Sequence, residues 1–272
     1  MIRFDENGDL LEISSILEKR MEILKEMEKT FGIDNEKMEK LFIEIEKFIK
    51  PGVSTKQIAD EAEKIIRREG ATPSFLNYNG FPGSICVSVN DTLIHGIPSD
   101  RIVLKSGDIV SLDCGATKNG YIADACRTYY VGKCNEEAIR LVETTKESFF
   151  EALKIIKPGI RIGDISFAIQ KYCEDRGYSL PREFAGNGIG RNLHEDPSIP
   201  NYGIPGTGPI LKKGMCLAIE PMVAIGSPKI RFLNDDWTVK MRDGKLSAHY
   251  ENTVVVTEDG VEILTISDDE RR

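Results

Sequence analysis

Asp113 and Asp124 are carboxylates set among apolar or small residues, in Ser111-Leu112-Asp113-Cys114-Gly115-Ala116 and in Tyr121-Ile122-Ala123-Asp124-Ala125. Lys118-Asn119-Gly120 joins the two stretches. Asn-Gly between strand-like runs is a strong hairpin signal, because both residues tolerate positive φ. The spacing therefore predicts two paired strands, each carrying one carboxylate. A carboxylate in a buried strand costs several kcal/mol unless something neutralises it. A divalent cation would do so, provided the chain supplies further ligands.

It does, through an internal repeat. Ile49-Lys50-Pro51-Gly52 recurs as Ile156-Lys157-Pro158-Gly159, an offset of 107 residues. Each copy leads into an amphipathic stretch, one closing at Gly70 and the other at Gly177. At the same offset, Leu104-Lys105-Ser106-Gly107 and the strand ending in Asp113 align with Leu211-Lys212-Lys213-Gly214 and a strand ending in Glu220. Two matched blocks at one offset predict a duplicated helix-plus-sheet unit. Context then pairs Asp124 with Glu251, at an offset of 127, with the extra residues of the second half falling at about 221–246. Two such halves about a pseudo-two-fold would converge four carboxylates. These repel unless divalent cations lie between them. Two ions bridged by shared carboxylates and a water form a hydrolytic site.

The elements that must position these residues alternate along the chain. Helical spacing predicts a helix over 13–31 and a second from about Asp34 to Lys50, stopped by Pro51-Gly52. Residues 136–156 predict a further helix between the halves. After the second repeat helix comes a glycine-rich run, from Phe184 through Gly186-Asn187-Gly188-Ile189-Gly190 to His194 and Pro197. Its glycines permit close backbone approach. It lacks the strand–glycine–helix context of a phosphate loop.

With 272 residues and 40% hydrophobic content, the chain can bury a sizeable core. A net charge of −8 argues against non-specific nucleic-acid binding. No run reaches membrane-spanning length, and the first residues carry no apolar signal core. The six cysteines form no Cys-x-x-Cys pair and sit in apolar segments, which predicts reduced thiols and a cytoplasmic location.

Taken together, His95-Gly96-Ile97-Pro98, Leu112-Asp113, Ala123-Asp124, the run from Gly186 to Pro197, Ala218-Ile219-Glu220-Pro221-Met222, Trp237-Thr238-Val239 and Tyr250-Glu251-Asn252-Thr253 resemble the type I methionine aminopeptidases. The resemblance covers about residues 49–266. It implies the α/β (α+β) pita-bread fold, with two related halves around a curved antiparallel sheet. The expected organisation is an N-terminal helical segment over 1–48 and a catalytic unit over 49–272.

It also implies removal of the initiator methionine from nascent chains with a small second residue, by a metal-bridged hydroxide. Asp113 resembles a chelating ligand, Asp124 and Glu251 bridging ligands, and Glu220 a terminal ligand and general base. His95 is similar to a histidine that contacts the scissile residue, and His194 to one that stabilises the tetrahedral intermediate. Phe75, Tyr78, Phe81, Cys86, Leu193 and Trp237 would line the methionine pocket. Two divalent ions, from among Mn, Fe, Co and Zn, are implied as cofactors, and peptide N-termini beginning with Met as partners. The expected state is a monomer without a membrane or direct nucleic-acid role; ribosome association is left open by the sequence.

Asn187 departs from the pattern, because it stands where the family places its one histidine ligand. A neutral amide is a poorer donor than imidazole for transition metals, so the site beside Glu220 is expected to be weakened. The all-oxygen shell tilts preference toward Mn²⁺ or Mg²⁺. The alternative is a chain of this fold that binds peptide N-termini without efficient cleavage. Xaa-Pro peptidases of the same fold are disfavoured, because they carry a large extra N-terminal domain and a second histidine near the metals.

Overall fold

The hairpin predicted around Asn119-Gly120 is present as strands β4 (Ile109–Lys118) and β5 (Tyr121–Tyr130). They are in register from Ile109↔Tyr130 to Lys118↔Tyr121. Asn119 and Gly120 take φ of 51° and 79°, the pair of left-handed conformations a two-residue type I′ turn requires. The computed structural model describes residues 35–266. The helix expected over 13–31 lies outside the described residues, as do most of the residues of the expected N-terminal segment.

Four helices are described: α1 (Asn35–Glu46), α2 (Thr55–Arg68), α3 (Glu136–Leu153) and α4 (Ile162–Glu174). Helix α1 ends before the predicted Lys50, because bonding over Lys47, Phe48 and Ile49 tightens to carbonyls three residues back. Ser54 begins α2 as a capping box with Gln57. The remaining strands are β1 (Thr72–Pro73), β2 (Cys86–Val89), β3 (Thr92–Ile94), β6 (Ala185–Gly188), β7 (Glu195–Pro200), β8 (Cys216–Ile219), β9 (Met222–Ala224), β10 (Ile230–Phe232), β11 (Val239–Met241), β12 (Ser247–His249), β13 (Glu251–Val256) and β14 (Val261–Ile263). The main sheet runs β1-β4-β5-β13-β8-β6-β7, with β2 on β4 and β14 on β13. Every pairing in it is antiparallel. Two small sheets, β10-β11-β3 and β12-β9, complete the pita-bread architecture.

Each half has its own core. Leu41, Ile45, Ile58 and Ile65 of α1 and α2 pack on Val110, Leu112 and Ala125. Leu141, Phe149, Ile165 and Ile169 of α3 and α4 pack on Leu217, Ile219 and Val254. The repeat extends to backbone bonds. Gly52 N–H donates to Leu104 O as Gly159 N–H donates to Leu211 O, and Gly107 N–H to Val131 O as Gly214 N–H to Val256 O.

Strand register corrects one expected correspondence. Leu112 faces Arg127, and its repeat counterpart Ile219 faces Asn252. Gly115 faces Asp124, and its counterpart Met222 faces His249. The partner strands are therefore offset by 125 residues, not 127. Asp124 corresponds to His249, and Glu251 corresponds to Cys126. Residues two apart in a strand share a face, so sequence context alone does not separate 249 from 251. In the second half, the segment between Ala224 and Ser247 replaces the tight Asn119-Gly120 turn. It carries β10, β11 and Trp237.

Candidate metal centre and peptide cavity

Asp113 lies mid-strand in β4, opposite Cys126 on β5 and Cys86 on β2. Asp124 is held by Thr253 of the other half, whose hydroxyl accepts from Asp124 N–H and donates to Asp124 O, both at 2.8 Å. Glu251 opens β13, and its carbonyl accepts from Arg127 Nη1 at 2.7 Å. Glu220 follows β8, with its carbonyl bonded by Asn201 Nδ2 at 2.8 Å.

Two ligand-type groups emerge. One is Asp113, Asp124 and Glu251, and the other is Glu220, His249 and Glu251; within each, donor atoms lie within 4.8 Å of one another. Glu251 belongs to both. Asp113 Oδ1, Asp124 Oδ1 and His249 Nε2 are buried without a hydrogen-bond partner. Burial raises all four carboxyl groups, Asp124 to about 7 and Glu220 to about 8. Mutual repulsion adds to this for Asp113, Asp124 and Glu251. Asp124 and Glu251 are buried and Asp113 and Glu220 half-buried; converging carboxylates with orphaned oxygens suit hard divalent cations, so the residues present fit a metal centre.

The carboxylates line a cavity of about 260 Å³. Every residue expected at the site lines it: Asp113, Asp124, Asn187, Glu220 and Glu251, together with His95, His194, Phe75, Tyr78, Phe81, Cys86, Leu193 and Trp237. The sequence reading missed Asn79, Ile94, Phe184 and Ala185, which also line it. Phe184 packs edge-on to His95, with ring centroids 5.6 Å apart. His249 was missed as well. A histidine two positions before a candidate ligand in a strand was the available signal.

Local backbone features aim the side chains. His95 adopts left-handed φ of 57°. The next residue must be glycine, because a Cβ on Gly96 would sit 2.2 Å from Val87 O. Gly186 and Gly188 are required in the same way, by Ala218 O at 2.3 Å and Asp196 O at 2.1 Å. The glycine-rich run thus serves strand-to-strand approach. Asn187, between them, donates from Nδ2 to Gly188 O at 2.8 Å and Leu193 O at 3.0 Å. Tyr78 Oη lies 2.9 Å from His194 Nδ1. A proton donated by the tyrosine there leaves Nε2 as the histidine's donor end. Burial lowers both cavity histidines, His95 to about 4.

The profile of metallopeptidase family M24 matches residues 26–258. The chain belongs to that family, on its methionine aminopeptidase branch. It is 54% identical over 222 residues to methionine aminopeptidase 1 of Bacillus subtilis, covering 82% of this chain and 89% of that protein. The methionine aminopeptidase of Clostridium acetobutylicum is 52% identical over 222 residues, with the same coverage of each chain. Among solved structures, the Thermotoga maritima methionine aminopeptidase superposes with a TM-score of 0.86 at 43% identity, covering 88% of this chain and 96% of that one. A prolidase from Pyrococcus furiosus shares the fold at a TM-score of 0.72 and 25% identity, and this chain covers 65% of it.

Proposed function

We propose that the cavity of this M24 metallopeptidase admits the N-terminal methionine of a polypeptide with a small second residue and hydrolyses the first peptide bond. The observation that carries the reading is that the four carboxylates and an apolar, sulfur-compatible pocket share one cavity. Asp113, Asp124 and Glu251 would hold one divalent cation, and Glu251 and Glu220, with Asn187 adjacent, a second; Mn²⁺, Fe²⁺, Co²⁺ and Zn²⁺ are the candidates. Such ions supply Lewis acidity and a nucleophile at neutral pH.

The chain's own groups do the rest. Phe81 and Trp237, in edge contact at 5.2 Å between centroids, clasp the thioether side chain together with Cys86 and Leu193. His194, oriented by Tyr78, donates from Nε2 to the scissile carbonyl as charge develops on it. His95, neutral and locked by Gly96, positions the scissile amide. Glu220 takes up a proton during attack and returns it to the leaving amine. The six free thiols among the described residues support a cytoplasmic setting.

The test is release of methionine from Met-Ala-Ser by protein saturated in turn with Mn²⁺, Fe²⁺ and Co²⁺, with Leu-Ala-Ser as control. Cleavage of the first alone is expected. Intact Met-Ala-Ser under all three ions, with cleavage by Asn187→His, would replace this reading with that of a peptide binder, the reading Asn187 favours.

A further inference from the structure

We infer that His249 supplies the nitrogen ligand to the cation held between Glu220 and Glu251. This rests on the two-cation reading above.

His249 Nε2 lies 3.5 Å from Glu220 Oε2 and 3.8 Å from Glu251 Oε2. Both separations are too long for hydrogen bonds. They suit ligands of one ion: two donors about 2.1 Å from a common metal stand about 3.0 Å apart at a right angle and about 3.6 Å apart at 120°. The imidazole is 2% exposed, and Nε2 has no hydrogen-bond partner. A buried polar atom left unsatisfied is destabilising, and an ion at this point would relieve it.

The duplicated architecture gives an independent reason. His249 is the counterpart of Asp124, a member of the other ligand group. The likeness reaches the backbone. Thr253 clips Asp124 at both N–H and carbonyl, and its counterpart Thr128 clips His249 in the same two ways, at 3.1 Å and 2.8 Å. Each half thus presents one ligand at the same strand position, fixed by the other half's threonine: a carboxylate in the first half, an imidazole in the second. Asn187, in contrast, has spent Nδ2 on two backbone carbonyls and brings no nitrogen donor. An imidazole at this end makes the Glu220 side receptive to Fe²⁺, Co²⁺ and Zn²⁺ as well as Mn²⁺.

The chain has three histidines, which makes the assignment separable. Co²⁺ is titrated calorimetrically into the untagged full chain, His249→Gln and Asn187→Ala, and X-ray absorption is recorded on the Co²⁺-loaded His95→Ala/His194→Ala variant. The expected result is two equivalents bound by the wild type. His249→Gln weakens the second at least about tenfold, and Asn187→Ala does so by less than about threefold. The double variant, whose one imidazole is His249, keeps imidazole outer-shell scattering, and this readout stands even where His249→Gln does not fold. Unchanged affinities in a folded His249→Gln, or loss of that scattering in the double variant, overturn the assignment while two-ion binding stands. A wild type that binds no Co²⁺ overturns both the two-cation reading and this one.

Discussion

Stripping the metal should make stability fall as pH rises, which reverses the usual behaviour of acidic residues. Burial raises Glu220 from 4.5 to about 8 and Asp124 from 3.8 to about 7. Between the unfolded and folded values, the native chain holds protons that the unfolded chain has released. Each such group then costs about 1.4 kcal/mol of stability per pH unit as pH increases. From pH 5 to pH 7 the loss is on the order of a few kcal/mol, because Asp124 and Glu220 repel one another and their contributions do not simply add. For a chain of this size, that corresponds to a fall in Tm on the order of 10 °C. Asp113 and Glu251, also raised, act in the same direction. Divalent ions displace these protons, so the rise in Tm on adding Mn²⁺ should be greater at pH 7 than at pH 5. Differential scanning fluorimetry of chelator-treated protein across this range, with and without Mn²⁺, measures both effects. A metal-free Tm that holds steady or climbs between pH 5 and pH 7 refutes the convergence of four mutually repelling, largely desolvated carboxylates in the native fold.

Three further substitutions probe how the site is supported. Gly186→Ala forces β6 away from Ala218 O and should lower stability by about 1–3 kcal/mol, read as a reduced urea midpoint. Arg127→Met removes a donor from the carbonyls of Cys126, Glu251 and Thr265 and from Asn252 Oδ1, and should cost at least about 1–3 kcal/mol in the same assay. Trp237→Ala opens the pocket on the inserted segment, away from both main cores; KM for Met-Ala-Ser should rise about tenfold while the urea midpoint moves little.

Much of this arrangement was legible in the residues. Asn119-Gly120 dictates its turn through two positive φ angles, so the hairpin follows from local chemistry. The repeat at 107 residues survives as matching bonds at Gly52 and Gly159, because a glycine at positive φ is hard to replace. The missed features are those decided by tertiary register. Whether position 249 or 251 matches Asp124 depends on strand pairing across Pro221, which no local pattern reports. Phe184 reads as the start of a glycine-rich loop until the fold sets its ring against His95. His249 reads as one more aromatic-sized residue in an apolar strand until Glu220, distant in sequence, is brought beside it.

The crossed threonine clips carry a consequence for assembly. Thr128 belongs to the first half and grips His249 of the second; Thr253 belongs to the second and grips Asp124 of the first. Strand pairing within each half sets the ligand's position, and the other half's threonine clips its backbone, so a half-length fragment would lack both that clip and the opposite half's ligands. The centre is completed only when the two halves dock, and its completion reports that docking. A two-fold dimer of half-length chains, later joined into one polypeptide, would leave this signature: reciprocal grips across the former interface, and ligands free to diverge from carboxylate to imidazole once the two copies no longer had to be identical.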